Sequence, residues 1–226
     1  MTDRPLSTRS WREQANLKDR TLVMPLGSFE QHGPHLPLST DTIIATELAR
    51  RVAHEVTCDV APAIPVGASG EHAGFAGLLS IGNEALEQVV VELLRSARST
   101  WTSVVVVSGH GGNAAAVTRA VRTARDEGSH VAAWFPTDHD GDPHAGATET
   151  SVMLALQPSL VDLSIAVDAP VSPDQMRRVR AEGIMSVSTS GVLGVPSRAD
   201  AAAGHVTVAR WVNEIVALVR EFEVSA

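Results

Sequence analysis

Tyrosine is missing from this chain of 226 residues, phenylalanine occurs four times, and cysteine once. With Cys58 alone, no disulfide can form within the chain, and a reducing cytoplasm is the expected setting. Basic residues are scarce as well. Eighteen Lys and Arg stand against 26 Asp and Glu, a formal charge of −8, and no basic cluster interrupts the pattern. An electrostatic footprint for nucleic acid is therefore not expected. Long apolar runs are also lacking. Val104 to Val107 is typical of the longest, far below the roughly 20 residues that span a bilayer, so no membrane partner is expected. The opening "MTDRPLSTRSWREQ" has no apolar core of a signal peptide. Low-complexity tracts, internal repeats and long linkers are absent. Together with 44% hydrophobic content, this suits one globular domain over residues 1–226.

Strand-like and helix-like segments alternate along the chain. "TLVMPLG" (21–27) is a short apolar run, and Ile44, Leu48 and Val52 then recur at helical spacing over 42–56, with Thr40 or Asp41 as a cap. "CDVAPAIPVG" (58–67) reads as an edge strand, because each of its prolines removes a ladder donor. After Asn83 a helix is expected to align Leu86, Val90, Leu93 and Ala97 on one face. The four valines of "SVVVVSGHGGN" (103–113) suit a central parallel strand buried on both faces. A helix follows it, then a strand at 130–136, a helix over 149–156 and a last helix over 205–222. This order predicts an α/β fold with a mostly parallel sheet between helical layers, with sites beyond the carboxyl ends of the strands.

Three polar clusters follow strand candidates. In "GSFEQHGPHLPLSTDT" (27–42), Glu30 and His32 are two residues apart, so in an extended segment both reach one side. Asp41 lies at a helix N-terminus, where it is either a cap or a carboxylate able to bridge two cations. His110 ends the valine strand in "SGHGGN", whose glycines by themselves indicate only a tight turn; Asn113 either caps the next helix or orients a bound carbonyl. In "DPHAGATETS", His144 and Glu149 flank a short turn, and Asp138, His139, Asp140 and Asp142 before them read as solvated. Glu30, His32, Asp41, His110 and Glu149 form a mixed N/O set suited to Zn, Mn or Fe. With Asp41 bridging, two divalent metals each receive three protein ligands. A pair of this kind activates water for hydrolysis, with His144 as the proton donor to a departing amine. Ser69, Glu71, His72 and Phe75 are substrate-pocket candidates by loop position, or simply structural. No G-x-S-x-G elbow or phosphate-binding P-loop occurs.

These motifs resemble the creatininase family of metal-dependent amidohydrolases. The resemblance runs through "PLGSFEQHGPHLPLSTDT", "GEHAGFAGLLSIG", "VVVVSGHGGN" and "HAGATETSVMLALQPSLVD", in order over most of the chain. It implies a three-layer α/β/α sandwich, a binuclear centre, hydrolysis of a C–N amide bond and homo-oligomerisation, with Glu30, His32, Asp41 and His110 as ligands. One departure stands out. Where the creatininase proper has a metal-binding Glu in "GHYEN", this chain has Gly112, and Glu149 is the expected substitute. Trp134 is the counterpart offered for one of two ring-flanking tryptophans. Within the family the chain looks most like the mycofactocin-system peptidases, which release a modified Val-Tyr-derived dipeptide from a small precursor peptide. Hydrolysis of creatinine, another cyclic amide or a formamide is the alternative, and a noncatalytic metal-binding assembly protein is a third reading.

Overall fold

A computed structural model describes residues 5–17, 19–136 and 142–224 of the chain. Among these, four parallel strands form one sheet: β1 (Thr21–Leu26), β2 (Cys58–Val60), β3 (Ser103–Ser108) and β4 (Val131–Trp134), in the order β2-β1-β3-β4. The helices are α1 (Trp11–Ala15), α2 (Thr40–Glu55), α3 (Gly82–Ala97), α4 (Ala114–Asp126), α5 (Ala147–Leu156), α6 (Pro173–Glu182) and α7 (Ala201–Val224).

β1 and β3 run side by side from Thr21↔Ser103 to Leu26↔Ser108, and both are buried along their whole length. Period-2 alternation sends their side chains to two separate cores. Val23, Val105 and Val107 pack with Ile44, Leu48, Met153, Trp211 and Ile215 of α2, α5 and α7. Leu22, Met24, Val104 and Val106 pack on the other face with Leu86, Val90, Val117 and Ala120 of α3 and α4. The result is the expected α/β/α sandwich. Each fully buried Leu or Val contributes about 1.5–3 kcal/mol, so the two cores hold the sheet rigid beneath its loops.

Two local expectations need correction. The strand expected over 58–67 is only Cys58–Val60, at the sheet edge, with Ile64 touching Leu26 as an isolated bridge. Pro62 and Pro65 prevent a continuous ladder. On α3 it is Leu94, not Leu93, that faces the core: Leu86, Val90, Leu94 and Ala97 are buried, and Leu93 is exposed. Both leucines are at helical spacing from Leu86 and Val90, but Val91 is buried too, so the packed face is turned toward Leu94 and leaves Leu93 at its edge.

The topology positions the site. From β1 the chain crosses through α2 to β2; from β3 it crosses through α4 to β4 on the opposite face. The loops after β1 and β3 therefore diverge, and a crevice opens between them at the carboxyl ends. Gly109 lets α2 close against this crevice, since a Cβ there would lie 2.3 Å from the backbone oxygen of Asp41.

Candidate metal centre

The loop after β1 carries Glu30 and His32, α2 begins with Asp41 in its first turn, the loop after β3 carries His110, and the start of α5 carries Glu149. All five are buried, and Glu30 and His32 are 0% exposed. Three groupings bring their donor atoms within 4.8 Å of one another: Glu30, Asp41 and His110; His32, His144 and Glu149; and Glu30, His72 and His144.

Asp41 links the first two. Its Oδ1 is 3.1 Å from Nε2 of His32, and its Oδ2 is 3.5 Å from Nδ1 of His110. Asp41 makes no capping bond to α2, whose N-cap is Ser39. The bland reading of Asp41 as a helix cap is thereby excluded. Nδ1 of His110 also lies 3.2 Å from Oε1 of Glu30, and Nε2 of His72 stands 2.9 Å from the same oxygen.

The charges in this pocket are strongly coupled. Burial pushes Glu30 upward, but the facing His110 and His72 rings outweigh it and hold the carboxyl well below the usual carboxylate range. Burial pushes His32 downward, yet Asp41, with help from Glu149 and Glu30, lifts it to about 9. His110 is likewise carried well above the usual histidine range, against burial, by Glu30 and then Glu71 and Asp41. Protons on these rings supply positive charge that the clustered carboxylates demand. A divalent cation supplies the same charge and displaces them.

Both oxygens of Glu30 and Oδ2 of Asp41 are buried without a hydrogen-bond donor. Such orphaned lone pairs are costly in a folded protein unless a cation takes them up. A mixed carboxylate and imidazole set around them fits Zn, Mn or Fe.

His144 is buried next to this set. Two groups of Gln31 face Nε2 of His144, the backbone carbonyl oxygen at 2.8 Å and the amide nitrogen at 3.1 Å, and the shorter contact is to an atom that can only accept. The His144 proton therefore sits on Nε2, and Nδ1 offers a lone pair 4.0 Å from both Glu30 and Glu149. Burial and then the charges of His32 and His72 push His144 well below the usual histidine range, which keeps it neutral. Glu149 accepts the N–H of Ala145, a residue held at φ 50 in the left-handed region. That conformation is costly outside glycine and is typical of residues held in place by a site.

The remaining sequence candidates divide between the centre and the surrounding fold. His72 joins the centre through Glu30, and Gln31 lies 3.1 Å from its Nδ1. Glu71 reaches Nε2 of His110 at 3.2 Å, and that ring holds it below the usual range although burial opposes this. Ser69 is buried with an unpartnered hydroxyl. Phe75 packs in a satellite cluster with Val179, Ile184 and Leu193. Asn113 occupies the N-cap position of α4 but its side chain makes no cap bond: its amide accepts from Ala68 N–H and donates to the Gly27 carbonyl and to Ser108, fastening three segments together. Trp134 points into the α2/α5/α7 core, edge-on to Trp211, and its indole donates to Glu214. His35 binds Thr150 and stays outside the groupings.

Asp138, His139 and Asp140 lie outside the described residues. Asp142, expected to be solvated, is buried and accepts from the N–H groups of Ala147 and Val195. Its signal was the pair Gly146 and Gly194, where a Cβ would collide with its carboxylate.

The sequence profile of the family described as "Creatininase: Creatinine amidohydrolase" matches residues 7–219. The chain belongs to the creatininase family. A mycofactocin precursor peptide peptidase of Mycobacterium tuberculosis (strain CDC 1551 / Oshkosh) is 48% identical over 210 residues, covering 87% of this chain and 83% of the relative. The protein of that description from Mycolicibacterium smegmatis is 45% identical over 218 residues, covering 92% and 87%. Among solved structures, a zinc–zinc form of a mutant creatininase superposes with a TM-score of 0.78 at 25% identity, covering 96% of each chain. A manganese creatininase gives 0.77 at 25%, covering 96% and 97%. This creatininase-family chain is a metal-dependent amide hydrolase acting on C–N bonds. Among the described residues, no helix is long and apolar enough to cross a membrane.

Proposed function

We propose that the chain is the peptidase that releases the modified C-terminal Val-Tyr-derived dipeptide from a mycofactocin precursor peptide, acting as one domain over residues 1–226. The two carboxylate oxygens of Asp41 carry this reading, because they face imidazoles from two different loops. Two divalent ions per subunit, of Zn, Fe or Mn, would be held by Glu30, Asp41 and His110 on one side and by His32, Asp41 and Glu149 on the other. Such ions acidify water and draw charge from an amide carbonyl.

The chain's own residues supply the rest. Neutral His144 takes a proton at Nδ1 from the attacking water and returns it to the departing amine. Gln31 holds the ring in the tautomer that makes this possible. Burial of the rings and carboxylates keeps bulk water out, which strengthens each charge interaction at the reacting bond. In this reading the substrate is a small modified peptide, and the enzyme works in the cytoplasm as a homo-oligomer. The identity to the mycobacterial peptidases supports that choice over other amides.

The test is incubation of metal-stripped and metal-reconstituted protein with modified precursor peptide and, separately, with a formylated pyrimidine, with products read by mass spectrometry. Dipeptide release only after Zn, Fe or Mn is restored is expected. Consumption of the formylated compound alone would move the assignment to formamide hydrolysis. Full-rate cleavage without metal would refute the mechanism.

A further inference from the structure

Glu71 and Gly112 form a pair that the proposed ligand set leaves unexplained. Glu71 belongs to the short turn Gly70–His72 on the crossing from β2 to α3, and Gly112 lies two residues beyond His110 after β3. They meet at the far side of the His110 ring. Nδ1 of that ring faces Oε1 of Glu30 at 3.2 Å and Oδ2 of Asp41 at 3.5 Å, two carboxylate oxygens buried without a hydrogen-bond partner. To share a cation with them, Nδ1 must present its lone pair, so the proton moves to Nε2. Nε2 is buried without a hydrogen-bond partner, and Oε1 of Glu71 lies 3.2 Å from it.

Gly112 keeps that contact open. A Cβ there would lie 2.3 Å from Nε2 of His110, 2.4 Å from Oε1 of Glu71 and 3.0 Å from the Ala68 carbonyl. Neither the ring nor the Ala68 backbone can withdraw cheaply, so a side chain at 112 would force Glu71 off the imidazole. Glu71 itself is 32% exposed, which lets it swing to an acceptor position without a large desolvation cost.

We propose that Glu71 is a positioning residue: its carboxylate accepts a hydrogen bond from the Nε2–H of His110, fixes the ring with Nδ1 toward Glu30 and Asp41, and requires glycine at 112. The arrangement is a carboxylate–histidine pair behind a metal ligand, and it rests on the metal-dependent reading above. Loss of such a partner costs roughly 10–100-fold in metal affinity.

The experiment measures zinc dissociation constants by chelator competition, and thermal unfolding of the metal-free proteins, for the natural protein, Glu71→Ala, Glu71→Gln and Gly112→Ala. Glu71→Ala is expected to bind zinc about 10–100-fold more weakly at an unchanged metal-free Tm. Glu71→Gln should stay within a few-fold of the natural protein, since its amide oxygen accepts the same proton. Gly112→Ala should match Glu71→Ala. Unchanged affinity in Glu71→Ala would overturn the inference while leaving the metal reading standing. Glu71→Gln as weak as Glu71→Ala would overturn it too, by showing that charge or direct ligation matters rather than orientation. A natural protein that binds no zinc would remove the metal reading and this inference together.

Discussion

Two buried carboxylates lie at opposite ends of the same sheet, and their surroundings differ. At the amino end, Asp59 of β2 is 1% exposed, and hydrogen bonds meet both of its oxygens, from Arg9 at 2.7 Å on Oδ1 and from Gln14 and Trp101, each at 2.8 Å, on Oδ2, with Arg20 in ion-pair contact at 2.9 Å. At the carboxyl end, Glu30 is 0% exposed, yet neither oxygen has a hydrogen-bond donor and its neighbours are imidazoles. The first is complete as protein alone, because two guanidinium groups neutralise the charge and fasten the N-terminal segment to the sheet. The second has the charge and lone pairs of a site that a cation completes. Burial alone does not separate structure from function here; the chemistry of the partners does.

Removing a carboxylate from each end, Asp41 beside Glu30 or Asp59, should therefore have opposite signatures. Asp41→Ala takes away the group facing both His32 and His110. Its expected loss of peptide cleavage exceeds the roughly 100-fold cost of losing a partner behind a ligand, and bound metal per chain should fall with it. Retention of both metal and rate would erase the distinction between the two ends.

Asp59→Ala should do the reverse. It leaves Arg9 and Arg20 without their buried anion and should cost about 3–5 kcal/mol in denaturant unfolding, with cleavage per folded molecule unchanged. The pH dependence follows from the direction of its shift. Burial raises the Asp59 pKa, but Arg9, Trp101, Gln14 and Arg20 together bring it below the usual range. A carboxylate lowered in the folded state stabilises above its unfolded pKa of about 3.9 and loses that contribution as pH falls through the folded value. The stability gap between the natural protein and Asp59→Ala should thus be full at pH 7 and close in acid.

Metal linkage offers a finer separation. At a free concentration 100 times Kd, one bound ion should stabilise the fold by about 2.7 kcal/mol. That increment is expected in the natural protein and in Asp59→Ala alike, and should be missing from Asp41→Ala in calorimetric scans. The smallest effect belongs to Trp134→Phe. It loses one indole hydrogen bond to Glu214, about 1 kcal/mol, and should leave kcat/KM within roughly twofold, because the ring lies in the core. A large fall in kcat/KM would return Trp134 to the substrate pocket.

What was legible in the sequence follows physical range. The valine run of β3 and the spacing of Ile44, Leu48 and Val52 declare a buried strand and an amphipathic helix, since periodicity is a local property. Leu93 was misplaced because Leu93 and Leu94 are adjacent, and only packing against α4 decides between them. The Glu-x-His pair, Asp41 and the strand-end His110 were readable as metal-ligand chemistry from residue type and spacing. By contrast, Asn113 and Trp134 are equally good pocket residues on paper. Their hydrogen bonds to Gly27, Ala68, Ser108 and Glu214 are made across the fold, and no local pattern announces them.

By itself the sequence determined the alternation of strands and helices, the absence of disulfides and spans, and a stock of carboxylates and imidazoles placed after strands. Those follow from side-chain chemistry and short-range periodicity. Tertiary structure alone decided that Asp41 faces two loops instead of capping α2, that Gln31 sets the tautomer of His144, and that Glu71 arrives beside His110 over a bare Gly112. Each of these depends on where segments far apart in the chain are brought together by two apolar cores, and hydrogen-bond partners at such separations are set by packing, not by spacing.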